Sequence, residues 1–259
     1  MPPRELVQKV IANEMKAAES TGHYMYRLRK TTPKGVQVKD MIETRDLVLG
    51  RLVSINDQPL TAEQRQADDN QIQKLISNPG ELRRKKRQEQ EDADRASKML
   101  KALPDAFIYE SDGNEPGAHG NLVRLKFRPN PNFNPPSRET MVYRGMTGHM
   151  LVDAAVLRMA KIDATLVQDV NFGWGILGHL DRGGKFIVEQ RDVGNGRWET
   201  TQMTLDFVGK AIFGLKNIRI KETEITTDFR RVPDDLTLAQ GLEILKQQEQ
   251  LVAKKQMGT

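Results

Sequence analysis

The segment Gly173–Gly178 matches the pattern GxGxxG, which in dinucleotide-binding proteins lets the backbone approach a pyrophosphate. That chemistry requires a strand before the glycines and a helix that opens from them. Here Asp181–Gly184 would stop any helix after one or two turns, and the segment lies deep within a pattern typical of antiparallel strands. We therefore interpret it as a glycine-rich connection between strands, in which we expect Trp174 to cover one end of a cavity.

Other patterns typical of catalytic or metal sites are weak. The histidines lack the spacing of a metal site, so we predict no bound metal: His23, His119, His149 and His179. Neither a GxSxG nucleophile elbow nor an HExxH zinc motif occurs. Asp153 and Asp163 lie on either side of a predicted turn and could face each other, but turn formation also explains Asp153. We predict no catalytic residue, no cofactor and no enzyme activity.

The basic run Arg83–Arg87 could contact phosphate groups, and the net charge of +5 permits contact with nucleic acid or anionic lipid. Acidic residues follow closely, however, and pairs such as Lys85 with Glu89 lie one helical turn apart. No aromatic residue interleaves with the run, as a single-strand binder would require. The run therefore indicates a solvated helix face, and we predict no nucleic-acid partner.

The composition is that of a soluble globular protein, because 37% of the residues are hydrophobic and no apolar stretch is long enough to span a membrane. Zero cysteines exclude disulfides, thiol catalysis and thiolate metal sites. The first residues, Met1–Val10, contain no apolar signal core. Read literally, this start indicates a cytoplasmic chain, but it also fits a chain from which a signal peptide was removed.

Most of the sequence between Arg138 and Val232 reads as antiparallel strands separated by short polar or glycine turns. The clearest hairpin turns at Gly194–Gly196, where Asn-Gly supplies the positive φ that tight turns need. Met146–Gly148, Asp153–Ala155 and Gly214 are further predicted turns. The predicted strands are Thr140–Tyr143, His149–Val152, Leu157–Leu166, Lys185–Arg191, Trp198–Phe207 and Ile218–Phe229.

Helices and further strands surround this region. Thr61 and Gln64 form a capping box before the second helix, and the third is strongly charged in its first half. The predicted helices are Glu5–Ser20, Ala62–Ile76, Glu81–Leu103 and Leu238–Lys254. The remaining predicted strands are His23–Arg29, Val36–Arg45, Leu47–Ile55, Phe107–Tyr109 and Leu122–Arg128. Runs of strands with segregated helices predict an α+β fold: an antiparallel sheet with helices over one face.

Large apolar side chains are concentrated on the predicted strands. Such residues ordinarily form a packed core, but on the concave face of a curved sheet they can line a cavity suited to acyl chains. Both interpretations stay open. Under the cavity interpretation, the predicted ligand-binding residues are Phe127, Met141, Tyr143, Met150, Trp174, Phe186, Trp198, Met203 and Phe207.

The segment Val142–Asp153, followed by the strand through Leu157 to Ile162, resembles the part of outer-membrane lipoprotein-sorting proteins in which a glycine, a hydrophobic pair and an aspartate precede the turn into the next strand. Val170–Gly175, Gly184–Gln190 and Arg197–Met203 are similar to LolA-like sequences. The resemblance extends from His23 to Arg231, mainly through the order of elements. This chain has Ala154 where the family usually has proline after the aspartate, and it lacks the cysteine of a lipid-anchored receptor.

The resemblance implies a LolA/LolB-like fold in a single domain, 1–259: a strongly curved antiparallel sheet, or half-open β-barrel, with helices on or lidding its concave face. The charged helices within 61–103 would be an insert that moves as a lid, and 238–254 would be a C-terminal helix. The implied function is that of a non-enzymatic periplasmic carrier, whose partner is a lipid or an acylated lipoprotein. The alternative is an envelope interaction or sensing module that uses the same fold with a filled core.

Overall fold

The computed structural model describes residues 1–19, 22–118, 120–172, 178–211 and 216–257, with the backbone alone for 252–257. The α-helices are α1 (Pro3–Ala18), α2 (Ala62–Ser77), α3 (Pro79–Ala106) and α4 (Leu238–Met257), and a 3₁₀ helix spans Glu139–Gly145. The strands are β1 (His23–Thr32), β2 (Gly35–Glu43), β3 (Val48–Ile55), β4 (Gln58–Pro59), β5 (Phe107–Gly117), β6 (Gly120–Pro129), β7 (Met146–Asp153), β8 (Arg158–Leu166), β9 (Val170–Phe172), β10 (Gly178–Leu180), β11 (Lys185–Asp192), β12 (Trp198–Ala211) and β13 (Lys216–Val232).

The strands form an antiparallel sheet that is not closed into a barrel, because β4 and β5 end its hydrogen-bonded order. Helices pack on this sheet: α1 contacts β8 and β5, and α4 contacts β2 and β3. The predicted α+β class with an open antiparallel sheet is therefore confirmed. The chain divides into two compact units, 1–20 with 94–223 and 21–93 with 224–259, and each is described separately.

Unit 1 contains the strands in the order β5-β6-β7-β8-β11-β12, and β9 and β10 form a short hairpin whose second strand pairs with β12. Its core is built by one face of these strands together with α1 and the last turns of α3. The most deeply buried members include Val7 and Val10 of α1, Phe127 of β6 and Met150 of β7. The apolar residues of α1 recur at helical spacing, which explains why this helix covers the sheet.

Unit 2 contains β4, β3, β2 and β1 in that order, together with the second half of β13. Its separate core joins Ile42 and Leu49 of the sheet to Ile72 of α2 and Leu245 of α4. The predicted capping box of α2 is confirmed. Thr61 Oγ1 accepts from the backbone N–H of Gln64 at 3.2 Å, while Gln64 Oε1 accepts from the N–H of Thr61 at 2.9 Å.

Three local predictions are corrected by the structure. Thr140–Tyr143 is not a strand but part of the 3₁₀ helix, in which Thr140 bonds Ser137 rather than a neighbouring strand. Met146–Gly148 is not a turn but the start of β7. The third helix continues through Pro104, because proline at that point removes only one hydrogen bond near the helix end.

Candidate functional site: an apolar strand face beside the Trp198 cleft

Residues 173–177 of the glycine-rich segment, which include Trp174, lie outside the described residues, as does Gly214. The flanking strands β9 and β10 pair antiparallel, with Phe172 opposite Gly178. Gly178 has φ +134°, and a Cβ there would lie 2.2 Å from the backbone oxygen of Lys210. Glycine is therefore required at 178 by backbone conformation and by the close approach of β12.

The histidines and acidic residues do not converge. His149 Nε2 lies 3.2 Å from an Asp112 carboxylate oxygen, and His179 Nε2 lies 3.0 Å from Asp181, while His23 is in unit 2 and His119 is outside the described residues. Among the described residues, no group of three potential metal-ligating side chains forms a site. Asp153 is opposite Arg158, whereas Asp163 is opposite His149, so the two carboxylates are not paired.

Asp153 instead stabilises the turn after β7, as one of the two sequence interpretations predicted. Its Oδ1 accepts from the backbone N–H groups of Ala155 at 3.1 Å and Val156 at 3.4 Å. The basic run also behaves as a solvated helix face, with Lys85 Nζ lying 3.6 Å from Glu89.

The predicted ligand-binding residues fall into two groups in unit 1. Four are buried in the core, namely Phe127, Tyr143, Met150 and Phe207, and Met141 packs against the same core from the 3₁₀ helix. Half-buried residues form the second group: Phe186 on β11, which packs against the core as Met141 does, and Trp198 and Met203 on β12. Trp174 lies outside the described residues. Part of the predicted ligand-binding set is therefore buried in the core, and the other part stays partly exposed to solvent.

The half-buried residues of β11 and β12 lie side by side. Phe186 is opposite Leu205 and Val188 is opposite Met203 in the antiparallel register. We call these four residues the apolar strand face. Because side chains alternate across a strand, Thr204 lies on the other face, where its hydroxyl is 3.4 Å from that of Thr223. None of the four reaches the burial of Met150, which is fully enclosed.

A cleft of about 580 Å³ lies where β12 begins, beside the C-terminal end of α1. We call it the Trp198 cleft. Its volume is within the range of small-molecule sites. Leu100 lines it and also packs on the unit 1 core. A second cleft of about 800 Å³ shares Gln190, Asp192 and Trp198 with the first and is also lined by Leu122 and Leu151.

An ion pair that the sequence patterns did not reveal lies in the Trp198 cleft. Arg158 binds Glu14 through two hydrogen bonds of 2.9 Å, and Glu14 Oε1 also accepts from the backbone N–H of Met159 at 2.9 Å. The side chains are only 12% and 5% exposed. The Arg158 guanidinium also lies over the Trp198 ring, 5.6 Å from its centroid. The pair connects α1 to β8 and positions the indole.

Two buried tyrosines attach the end of α3 to the same core. Tyr109 donates its hydroxyl hydrogen to the Leu103 carbonyl at 2.8 Å, and Tyr143 donates to the Met99 carbonyl at 3.2 Å. Burial raises the pKa of both hydroxyls well above the ordinary value, so each is a neutral donor at physiological pH. These groups stabilise the fold and have no geometry suited to acid–base catalysis.

No protein-family model matches the chain, and no curated protein matches it. Solved structures that match include an outer membrane lipoprotein-sorting protein domain from Vibrio parahaemolyticus, with 11% identity, coverage of 93% of this chain and 99% of that one, and a TM-score of 0.32. A LolA superfamily protein from Nitrosomonas europaea matches at 9% identity, 90% and 96% coverage and a TM-score of 0.31. A DUF1329 family protein from Desulfovibrio piger matches at 12% identity, 89% and 94% coverage and a TM-score of 0.31.

Two of these three solved structures are named as lipoprotein-sorting or LolA superfamily proteins. With TM-scores near 0.3, these matches do not indicate the activity of this chain. Within the described residues, no helix combines the length and the apolar character that crossing a membrane would require.

Proposed function

We propose that the protein is a non-enzymatic carrier that binds lipid or lipoprotein acyl chains, with unit 1 as the binding unit. The observation that carries the proposal is the apolar strand face, Phe186, Val188, Met203 and Leu205, which stays half-buried on the same strands that line the Trp198 cleft. An acyl chain laid along these strands would remove that apolar surface from water, which is the main favourable term in such binding. Periplasmic location and a role in outer-membrane biogenesis are part of the proposal and rest on the sequence resemblance.

The sequence also predicted that the helices of 61–103 act as a lid, and this role remains a prediction. An acyl chain would begin to enter at the Trp198 cleft, which has a volume of about 580 Å³ and adjoins α1. Trp198 would then contact the part of the ligand nearest the solvent, and the strand face would contact the chain beyond it.

Binding of a fluorescent acyl methyl ester tests the proposal directly. We expect Met203→Asp to weaken binding by more than about tenfold, because a carboxylate on the strand face would have to be desolvated by the chain. Thr204→Asp is the matched control, since the adjacent residue places the same charge on the opposite face of β12. Native mass spectrometry of the protein purified from bacteria, followed by extraction and lipid identification, would define the bound acyl class.

Equal binding by both aspartate variants would contradict the assignment of the site to the strand face. Phe207 is a poor place for such a test, because it is buried in the core and its replacement by aspartate would unfold unit 1.

The alternative function, an envelope interaction or sensing module, is favoured by a specific observation. Phe127, Tyr143, Met150 and Phe207 are packed in a filled core rather than lining an empty cavity. A protein that purifies without lipid and takes up no added acyl ester or monoacylglycerol would support this alternative over the carrier.

A further inference from the structure

Gln190 carries an unusual polar atom at the junction of the two unit 1 clefts. Its side-chain oxygen, Oε1, is fully buried and has no hydrogen-bond partner among the described residues. Gln190 lies at the β-bulge of β11, next to Glu189, and it lines both clefts together with Trp198. A buried acceptor without a donor is destabilising, and such groups are rare in folded proteins. The position therefore suits a donor that arrives with a ligand.

The charged side chains around Gln190 limit the kind of ligand that fits. Glu14 is paired with Arg158, Glu189 with Lys161 at 2.9 Å, and Glu199 with Arg197. All of these residues line one or both of the clefts. An anionic head group would have to compete with a carboxylate for its cation, and the buried Glu14 would then lose its partner, which is costly. Lys16 also lines the Trp198 cleft, but its side chain is exposed, so water screens its attraction for an anion. The paired charges nearer Gln190 therefore favour an uncharged head group.

We propose that the two clefts bind the uncharged, hydrogen-bond-donating head group of an amphiphile, whose hydroxyl or amide N–H donates to Gln190 Oε1. The inference rests on the proposed function, since the acyl chain of the same ligand would occupy the apolar strand face. It adds the chemical class of the head group: a glycerol-type hydroxyl or an amide, and neither a phosphate nor a carboxylate.

Competition between pairs of lipids that share one acyl chain tests the inference. A monoacylglycerol has free hydroxyl groups, whereas the methyl ester of the same fatty acid has acceptors only. Each is used to displace a fluorescent acyl methyl ester, which has no charged head group, from the full chain. We expect the monoacylglycerol to bind about two- to tenfold more tightly, the effect of one net hydrogen bond. A lysophosphatidic acid with the same chain should bind no more tightly than the monoacylglycerol.

The matched variants are Gln190→Met and Gln202→Met. Methionine is close to glutamine in length but is only a weak acceptor, so Gln190→Met should bring the two affinities to a ratio near one and leave the affinity for the ester unchanged. Gln202 is on β12 opposite Glu189 and does not line either cleft, so its variant should keep the preference. Thermal unfolding of both variants checks that the fold is retained.

Each other outcome contradicts one part of the inference: the hydrogen bond to Gln190, the uncharged head group or the carrier function. A preference that survives in Gln190→Met, or a wild-type ratio of one, would show that Gln190 does not accept from the head group. Tighter binding of the methyl ester, or of the phosphate, would assign a donor or a free cation to the cleft instead. If neither monoacylglycerol nor ester binds, the carrier function itself fails, and this inference falls with it.

Discussion

At the residue scale, the buried pair of Glu14 and Arg158 determines how α1 is held on unit 1. Desolvating two charges is expensive, and the cost is offset here by two direct hydrogen bonds and by the backbone N–H of Met159, which the same carboxylate accepts. Once such a pair is buried, removing either partner leaves the other uncompensated. The pair is therefore a sensitive point for the stability of unit 1 and for the shape of the Trp198 cleft.

We expect Glu14→Gln to lower the free energy of unfolding of unit 1 by about 3 kcal/mol, because Arg158 would remain buried without a carboxylate. Glu5→Gln is the control on the same helix: Glu5 pairs with Lys9 at 2.9 Å, but both side chains are about half exposed, so the loss should be below about 0.5 kcal/mol. Urea unfolding followed by circular dichroism measures both. The double variant Glu14→Met/Arg158→Leu should regain most of the lost free energy of unfolding, because neither charge is left buried alone. A double variant less stable than Glu14→Gln would show that the ion pair itself stabilises the fold.

Sequence patterns identified one side of this site and missed the other. Trp198 and Met203 could be predicted because large apolar residues on strands are visible in the alternation. Glu14 was overlooked, although it lies four residues after Val10 and three after Ile11, which places a carboxylate on the buried face of α1. A carboxylate on the apolar face of a helix predicts a buried cationic partner. Its partner could not be found, because Arg158 is 144 residues away and only the fold brings it near.

At the element scale, the strands with strict alternation and tight turns were the predictable ones. The β11–β12 hairpin follows from Asn195, whose φ of +57° is the conformation that an Asn-Gly turn supplies. Thr140–Tyr143, within the 3₁₀ helix Glu139–Gly145, is predicted as a strand because it contains a run of three large apolar residues, Met141–Tyr143. An apolar run this short does not distinguish a strand from a 3₁₀ helix. The packing of Val142 and Tyr143 into the core favours the 3₁₀ helix.

The pairing of β7 with β8 depends on a glycine that the sequence patterns assigned to a turn. Gly148 is opposite Ala164, and a Cβ at 148 would lie 2.0 Å from the backbone oxygen of Asp163. We expect Gly148→Ala to cost about 1–3 kcal/mol, since the two backbones would have to separate. The measurement is the urea midpoint, with hydrogen exchange of β7 and β8 to localise the effect.

Gly50→Ala is the matched control for this prediction. It also adds one methyl group within a strand, but the nearest atom is Met41 Sδ at 2.8 Å, the far end of a flexible side chain that can move away. A loss of stability in Gly50→Ala as large as that in Gly148→Ala would mean that the close approach of β7 to β8 is not the cause.

At the scale of the whole molecule, the chain has two hydrophobic cores. The first lies among 1–20 and 94–223, and the second among 21–93 and 224–259. The sequence predicted a single domain, 1–259, and that prediction remains to be tested. Sequence periodicity could identify which face of each element is apolar, but not which elements share a core, because elements of one core are far apart in the chain. Leu49 and Leu245 of the second core are an example.

Hydrogen exchange can decide whether the two cores unfold together. Leu49→Ala removes a side chain that is 1% exposed in the second core, and Met150→Ala removes one that is 0% exposed in the first; each should cost about 2–5 kcal/mol. Because exchange reports the stability of each cooperative unit, we expect Leu49→Ala to accelerate exchange in β2 and α4 and to leave β7 and β8 protected, while Met150→Ala does the reverse. Equal acceleration in both units by either variant would contradict this expectation and support one cooperative domain. In the expected case, acyl-chain binding should increase protection in unit 1 while leaving β2 and α4 unchanged.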